Sequence, residues 1–420
     1  MNNDFFKISD KVKNAADRAM AEIQPYFSKT DEITEYNQQK VLAAFIKNGV
    51  SEAMFSESTG YGYGDRGRDV IDRVAADIFC AEDALVRHNF TCGTHTLAVA
   101  LFGMLRPGDT MMCVTGLPYD TIHSVIGIDG KGDGSLADYG ITYKQVDLKN
   151  EKPDYDEIKK RVSEENPKLV YIQRSRGYSL RPSLSCEEIA EIIKIVKENS
   201  DADVMVDNCY GEFTQKIEPT QVGADIIAGS LIKNAGGGIA KTGGYVAGRA
   251  DLVEKISYRL TTPGLGREVG ATLGHSRELF MGLFFAPHTV GEAVKSARFA
   301  AALFEQFGFG TTPKSTDDRF DIVQSILLRN EDNLIAFCQG MQKGAPIDSF
   351  VTPEPWDMPG YDSKVIMSAG AFTGGASIEL SADAPLREPF AVYMQGGLNF
   401  HSAKVGIMLA AEEMAKRDLI

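Results

Sequence analysis

Two residues of opposite charge stand at the ends of two apolar runs. Val204, Met205 and Val206 form a buried-strand run closed by Asp207. Ala224–Leu231 forms another, followed by Ile232, Lys233, Asn234 and the glycine cluster Gly236 to Gly238. In open α/β sheets, ligands bind outside the carboxyl ends of the strands, so both side chains are expected at one crevice. An aspartate and a lysine sharing a crevice is what pyridoxal phosphate (PLP) chemistry needs. The lysine amine forms a Schiff base with the aldehyde, and the carboxylate keeps the pyridine nitrogen protonated so that the ring acts as an electron sink. The amine must be deprotonated to react, which a desolvated, partly cationic site favours. Taken alone, the same pair also reads as a helix cap and a solvated surface charge.

Other segments point to the same crevice. After the apolar run Ala84–Asn89 comes Thr91-Cys92-Gly93-Thr94-His95, leading into the helical pattern Thr96–Leu105. A small-residue turn that opens a helix offers free backbone N–H groups and the positive end of a dipole, a natural phosphate seat. Thr94 adds a hydroxyl there, and Ser230, three residues before Lys233, adds another; an ordinary N-cap is the alternative reading. Tyr119, after the next strand, is placed to stack on a flat ring, with His95 as a second candidate and a plain surface tyrosine as the alternative. Tyr210, three residues beyond Asp207, reads as a donor to the ring's phenolate oxygen or as a core tyrosine. Lys241 competes with Lys233 but follows the glycine cluster instead of a strand end.

Gly62-Tyr63-Gly64-Asp65-Arg66-Gly67 satisfies the dinucleotide fingerprint. That motif requires a preceding buried strand, and Glu52–Gly60 is polar, so the nicotinamide reading is set aside. The sequence contains no P-loop, no zinc-ligand spacing and no GxSxG elbow.

The elements that must position these residues follow from the apolar pattern. Candidate strands are Ala84–Asn89, Thr110–Val114, Thr142–Asp147, Leu169–Gln173, Val204–Asp207, Ile226–Leu231 and Gly244–Ala247. The clearest helix is Ser185–Asn199, where Ser185 and Glu188 make a capping box ahead of Ile189, Ile192, Ile193 and Val196. Strands alternating with helices predict an α/β fold, a mostly parallel seven-stranded sheet flanked by helices. Beyond a long helical pattern at His288–Phe307, strand candidates crowd together (Phe320–Leu328, Lys364–Ala369, Ser377–Leu380, Pro389–Met394) and predict a smaller α+β domain. The expected division is an N-terminal helical arm over 1–60, a large cofactor-binding domain over 61–275 and a C-terminal domain over 276–420. Within the arm, Ile33–Asn48 carries spaced apolar residues.

Composition narrows the function classes. The 420 residues carry 44 Lys and Arg against 58 Asp and Glu, a net charge of −14, with 43% hydrophobic and 24% charged residues. That balance excludes wholesale disorder, and the acidity argues against nucleic-acid or anionic-lipid partners, which need a basic face. No apolar run approaches the roughly 18 residues of a membrane helix, and no secretory signal is visible. Six dispersed cysteines with no CxxC pair read as reduced thiols of a cytoplasmic protein.

Together these segments resemble the fold-type I PLP enzymes, and more closely the aluminium resistance protein family, a methionine gamma-lyase-like branch of the Cys/Met metabolism enzymes. The resemblance is carried by Ser58–Arg68, Cys92–His95, Gln173–Tyr178, Val206–Phe213, Gly229–Gly238 with Thr242–Tyr245, and Gln395–Leu398. It implies that Lys233 holds the cofactor covalently, that Asp207 pairs with the ring nitrogen, and that Gly93, Thr94 and Ser230 hold the phosphate. It also implies that Tyr61, Tyr63 and Arg66 reach the phosphate of a neighbouring subunit, in a homodimeric catalytic unit often paired into a homotetramer. The implied activity is carbon–sulfur lysis of an amino acid; transamination, decarboxylation, aldol cleavage and a PLP-binding stress or homeostasis role with little turnover are the alternatives. Two positions depart from the lyase pattern: Ile232 replaces a hydroxyl residue before the lysine, and Glu379 replaces the arginine that anchors the substrate carboxylate. Arg174, Arg176 and Arg387 are the candidate substitutes.

Overall fold

The computed structural model describes residues 5–128, 130, 133–358 and 363–420. In chain order the helices are α1 (Asp10–Lys47), α2 (Arg66–Ile78), α3 (Gly93–Met104), α4 (Asp120–Ile126), α5 (Tyr155–Glu165), α6 (Cys186–Asn199), α7 (Ala250–Leu260), α8 (Ser276–Gln306), α9 (Glu331–Gln342) and α10 (Phe400–Lys416). The strands are β1 (Asp83–Arg87), β2 (Thr110–Cys113), β3 (Thr142–Gln145), β4 (Leu169–Gln173), β5 (Asp203–Asp207), β6 (Ile226–Ser230), β7 (Gly244–Gly248), β8 (Gly310–Thr312), β9 (Val323–Leu327), β10 (Val365–Ser368), β11 (Ser381–Pro385) and β12 (Ala391–Gln395). Contacts group them into a central unit, Tyr36–Ala286, and a terminal unit, Met1–Glu35 with Pro287–Ile420. These boundaries lie inside α1 and α8, whereas the sequence reading put them near residues 60 and 275.

The central unit holds a seven-stranded sheet in the order β1-β7-β6-β5-β4-β2-β3. Each predicted strand of this region is present within a residue or two. All neighbours pair in parallel except β7, which runs antiparallel to both β1 and β6. Strands β4 to β7 are buried at every position. That is the pattern of a sheet covered on both faces and explains why they read as continuous apolar runs. α6 begins at the predicted capping box, with Ser185 accepting from the Glu188 N–H and the Glu188 carboxylate accepting from the Ser185 N–H. Gly103 of α3 lies so close to α7 that a Cβ there would stand 2.8 Å from the Ile256 Cα.

The terminal unit holds an antiparallel sheet in the order β10-β11-β12-β9-β8, with α9 and α10. Its core also takes in Ile8, Val12, Ala15, Ala16, Ala19, Ile23 and Phe27 from the start of the chain, packed with Phe304, Phe337, Ile407 and Met414. Thus Ile8 and one buried stripe of α1, from Val12 to Phe27, belong to the core of this unit, within the segment read from sequence as a helical arm. The expected strand Ser377–Leu380 is a turn. The buried Glu379 carboxylate accepts the backbone N–H groups of Phe372 and Thr373, at 2.8 and 2.9 Å, bracing the preceding loop, and the strand starts only at Ser381. Among the described residues, no helix is long and apolar enough to cross a membrane.

Candidate active site

The carboxyl ends of β5 and β6 lie side by side, because Asp207 pairs in register with Ala228. β5 therefore delivers Asp207, and β6 delivers Ser230 and, one turn later, Lys233. α3 starts at Gly93 against the same corner. A Cβ on Gly93 would lie 3.4 Å from the Ser230 Cβ, 3.6 Å from the Cys209 Sγ and 3.9 Å from the Lys233 Nζ. The sequence candidates Gly93, Ser230 and Lys233 thus bound one space, with the leftover N–H groups of the first turn of α3 beside it. Cys92 caps that turn, its sulfur accepting the His95 N–H. Thr94 Oγ1 is 2.7 Å from Thr121 Oγ1 of α4, so two hydroxyls stand at this helix start.

Asp207 is buried. One carboxylate oxygen accepts the Cys209 N–H at 3.1 Å and the other accepts the Tyr171 hydroxyl at 3.3 Å. Burial pushes its acidity weaker than an ordinary aspartate's, while the Lys233 charge pulls the other way. Lys233 shows the converse balance. Burial favours its neutral form, but Cys209, Tyr210, Asp207 and Tyr119 together hold it well above the usual lysine value, as an ammonium. Its Nζ lies 4.2 Å from the centre of the Tyr210 ring, a cation–π contact. Tyr210 itself has φ +71°, a left-handed conformation that costs a bulky residue about 1–3 kcal/mol and concentrates at functional sites.

Tyr119 is half-buried. Its N–H donates to Gln173 Oε1 at 2.6 Å and its ring meets Tyr178 edge-on at 5.6 Å. The His95 ring folds back: Nδ1 accepts the Thr91 N–H at 3.1 Å, the ring edge meets Phe90, and burial lowers its pKa. Lys241 lies elsewhere, in a surface ion pair with Glu278 at 2.6 Å. Tyr61 and Tyr63 stack on each other at 5.3 Å, 68% and 64% exposed, and Arg66 is exposed at the start of α2. The glycine run around them follows a 3-10 turn (Glu52–Phe55), not a strand, and two of its glycines serve packing: a Cβ would stand 2.8 Å from the Ala271 Cα on Gly62 and 2.2 Å from the Met54 carbonyl oxygen on Gly67.

The three candidate arginines fall in different settings. Arg174 is fully buried; its guanidinium donates to Asn208 Oδ1 at 2.8 Å, Gln215 Oε1 at 3.1 Å and Glu218 Oε2 at 3.4 Å. That is a structural ion pair beneath the sheet end, so a substrate role is corrected: no donor face is left open. Arg174→Met, which strands a buried Glu218 charge, is expected to cost about 3–5 kcal/mol of stability, read as a denaturant midpoint. Arg387→Ala, at an exposed turn of the terminal unit, should stay within about 0.5 kcal/mol of wild type. Arg176 is buried in the turn after β4.

Sequence reasoning missed Cys209 and Tyr171. A tyrosine inside an otherwise apolar strand was the available signal, since a buried hydroxyl needs a partner.

The methionine gamma-lyase family profile matches residues 12–415. The chain belongs to this family. It is similar to the uncharacterized protein YnbB of Bacillus subtilis, 47% identical over 97% of this chain and 98% of that one. A carbon–sulfur lyase involved in aluminum resistance, from Clostridium novyi NT, superposes with TM-score 0.93 at 53% identity, covering 97% of this chain and 96% of its own. The PLP-dependent protein YhfS of Escherichia coli shares the fold, with TM-score 0.64 at 17% identity over 92% of this chain and 97% of its own. The architecture is that of fold-type I PLP enzymes, and family and fold together imply PLP as the cofactor. The residues present fit it: an acid, an amine, two hydroxyls and a helix start converge where Gly93 leaves room for a ligand.

Proposed function

We propose that this protein is a PLP-dependent carbon–sulfur lyase acting on a sulfur-containing amino acid, of the cystathionine, methionine or cysteine kind, by β- or γ-elimination. The observation that carries the reading is the corner shared by Gly93, Ser230 and Lys233, with Asp207 on the adjoining strand end. The first turn of α3, Thr94 and Ser230 would hold the phosphate, Asp207 the ring nitrogen, Tyr119 or His95 the ring face, and Tyr210 the ring oxygen. When bound, PLP supplies an electron sink for the charge left on the substrate Cα.

The chain's own part is proton management. Lys233 Nζ takes the proton from the substrate Cα, and for that it must first be neutral. A cationic ring nitrogen paired with Asp207 would compete for the carboxylate that now helps to hold Lys233 charged, moving the amine toward its basic form. The Cα proton leaves to Nζ, the carbon–sulfur bond breaks to release a thiol, and water completes the conversion to a 2-oxo acid and ammonia.

Tyr61, Tyr63 and Arg66 would act on the phosphate of a second subunit, in a homodimer paired into a homotetramer. An exposed aromatic stack beside an arginine supports this, because it leaves apolar area and a cation available to a partner. Arg176 and Arg387 are the proposed anchors for the substrate carboxylate. The six cysteines are all free thiols, which supports a cytoplasmic setting.

Incubating the PLP-loaded protein with cystathionine, cysteine and methionine is expected to release thiol, oxo acid and ammonia in equal amounts from at least one. Oxo acid without ammonia would replace this reading with transamination, and no product from any sulfur amino acid would end it.

A further inference from the structure

A second buried network joins the two strand ends. Asn208, next to Asp207, accepts from Arg174 and donates through Nδ2 to Glu218 Oε2 at 3.1 Å and to the Tyr245 hydroxyl oxygen at 3.3 Å. Tyr245 on β7 donates that hydroxyl to Glu212 Oε1 at 2.8 Å. Glu212 is fully buried, and its main-chain carbonyl accepts from Asn234 Nδ2 at 3.1 Å, directly beside Lys233. Gly229 on β6 lets this happen: a Cβ there would lie 2.6 Å from both Glu212 Oε1 and the Tyr245 ring.

We infer that Glu212 is a positioning residue, kept as an uncharged acid, that ties the strand end carrying Asp207 to the turn carrying Lys233. Charge counting comes first. Arg174 is the one guanidinium of the network, and Glu218 already pairs with it; a second carboxylate there would be a buried, uncompensated anion, which is costly. Hydrogen-bond counting comes second. Glu212 Oε2 and Asn234 Oδ1 are both buried without a partner. A buried carboxylate oxygen with no donor costs far more as part of an anion than as part of a neutral acid, so the unpartnered Oε2 favours the protonated form of Glu212.

The surrounding groups agree. Glu212 faces the Tyr245 hydroxyl from β7, Glu218, Arg174 from the end of β4, and the Cys209 thiol, itself raised and neutral. Lys40 of α1 lies over the neighbouring Phe213 ring at 5.9 Å and bonds to none of these carboxylates. Burial, with Glu218 reinforcing it and Tyr245 and Arg174 opposing it, pushes the Glu212 acid up to about 8. The native state then binds a proton that the unfolded state loses near pH 4.5, so stability falls as pH rises between those two values and levels off above them.

The connection to Lys233 rests on the proposed lyase reading, whereas the charge state of Glu212 does not, so the test has separate arms. Glu212→Gln keeps the shape and the neutrality. The unfolding midpoint of the full-length variant should match wild type near pH 5 and exceed it by about 5 °C near pH 8. The infrared carbonyl band of a protonated acid should be present in wild type at pH 7 and lost in the variant. An equal midpoint difference at both pH values, or no such band, would overturn the assignment whether or not PLP binds. For positioning, only about one molecule in ten keeps Glu212 neutral at pH 9, so the ratio of wild-type to Glu212→Gln PLP dissociation constants should rise about tenfold between pH 7 and 9. Glu212→Ala should bind PLP more weakly than wild type already at pH 7. A constant ratio, or Glu212→Ala binding as wild type does, would reject the tie to Lys233.

Discussion

Lys233→Ala is expected to lower thiol release from the best sulfur amino acid by about 10⁴-fold, the upper range for removing a positioned acid–base group. Lys233 Nζ is the amine at the corner bounded by Gly93, Ser230 and Cys209, and the variant leaves no base there for the substrate Cα. Lys241 cannot stand in, since its ammonium is held by Glu278 on the surface. Lys233→Arg sharpens the argument. It restores the positive charge beside Asp207, yet a guanidinium does not give up its proton in proteins, so its rate should fall as far. Borohydride reduction of the PLP-loaded protein should attach the cofactor to a peptide containing Lys233 and to nothing in either variant. Label on Lys241, or a rate in Lys233→Arg near that of wild type, would refute the assignment.

Asp207→Asn should lower the same rate by about 10²–10³-fold, comparable to losing one preorganised electrostatic partner. Asparagine is close in shape, and its side-chain oxygen can still accept the Cys209 N–H now bound by Asp207, so folding is little disturbed locally. Two electrostatic functions go together, however. The ring nitrogen loses the anion that would keep its proton, and Lys233 loses a group that holds its ammonium above the ordinary value. With burial then less opposed, the Lys233 amine should become neutral at lower pH. Competitive acylation of Lys233, followed across pH in the cofactor-free full-length protein, measures that directly. An unchanged titration would mean that the ammonium is held without Asp207, by its contact with the Tyr210 ring.

The central sheet was legible because its inner strands, β4 to β7, are buried on both faces. Leu169–Gln173 and Val204–Asp207 stand out as apolar runs, and a charged residue closing such a run can only be at a strand end. Lys233 and Asp207 were found for that reason. The terminal unit was harder. Ser377–Leu380 has strand composition, but its glutamate is consumed by two backbone N–H groups six and seven residues earlier, a local bond that outweighs β propensity. The start of α1 was misread because Ala15, Ala16 and Ala19 form much of its buried stripe, and alanine gives a weak apolar signal. Glu212 escaped notice since nothing in Gly211-Glu212-Phe213 tells an exposed acid from one enclosed by Tyr245 and Gly229; only the tertiary contacts do.

The terminal unit is built from two segments that flank the central one in sequence, whereas residues 36–286 are contiguous. On the ribosome, then, the stretch that bears the cofactor corner can reach its native sheet while translation continues, because all seven of its strands have emerged by Gly248. Residues 8–27 have no such option. Ile8, Val12 and Phe27 share a core with Ile407 and Met414, which are made long after them, so this stripe waits for its partners until the segment that follows the central unit has emerged. Its alanines limit the sticky area on display during that delay, when nascent chains are most prone to aggregate.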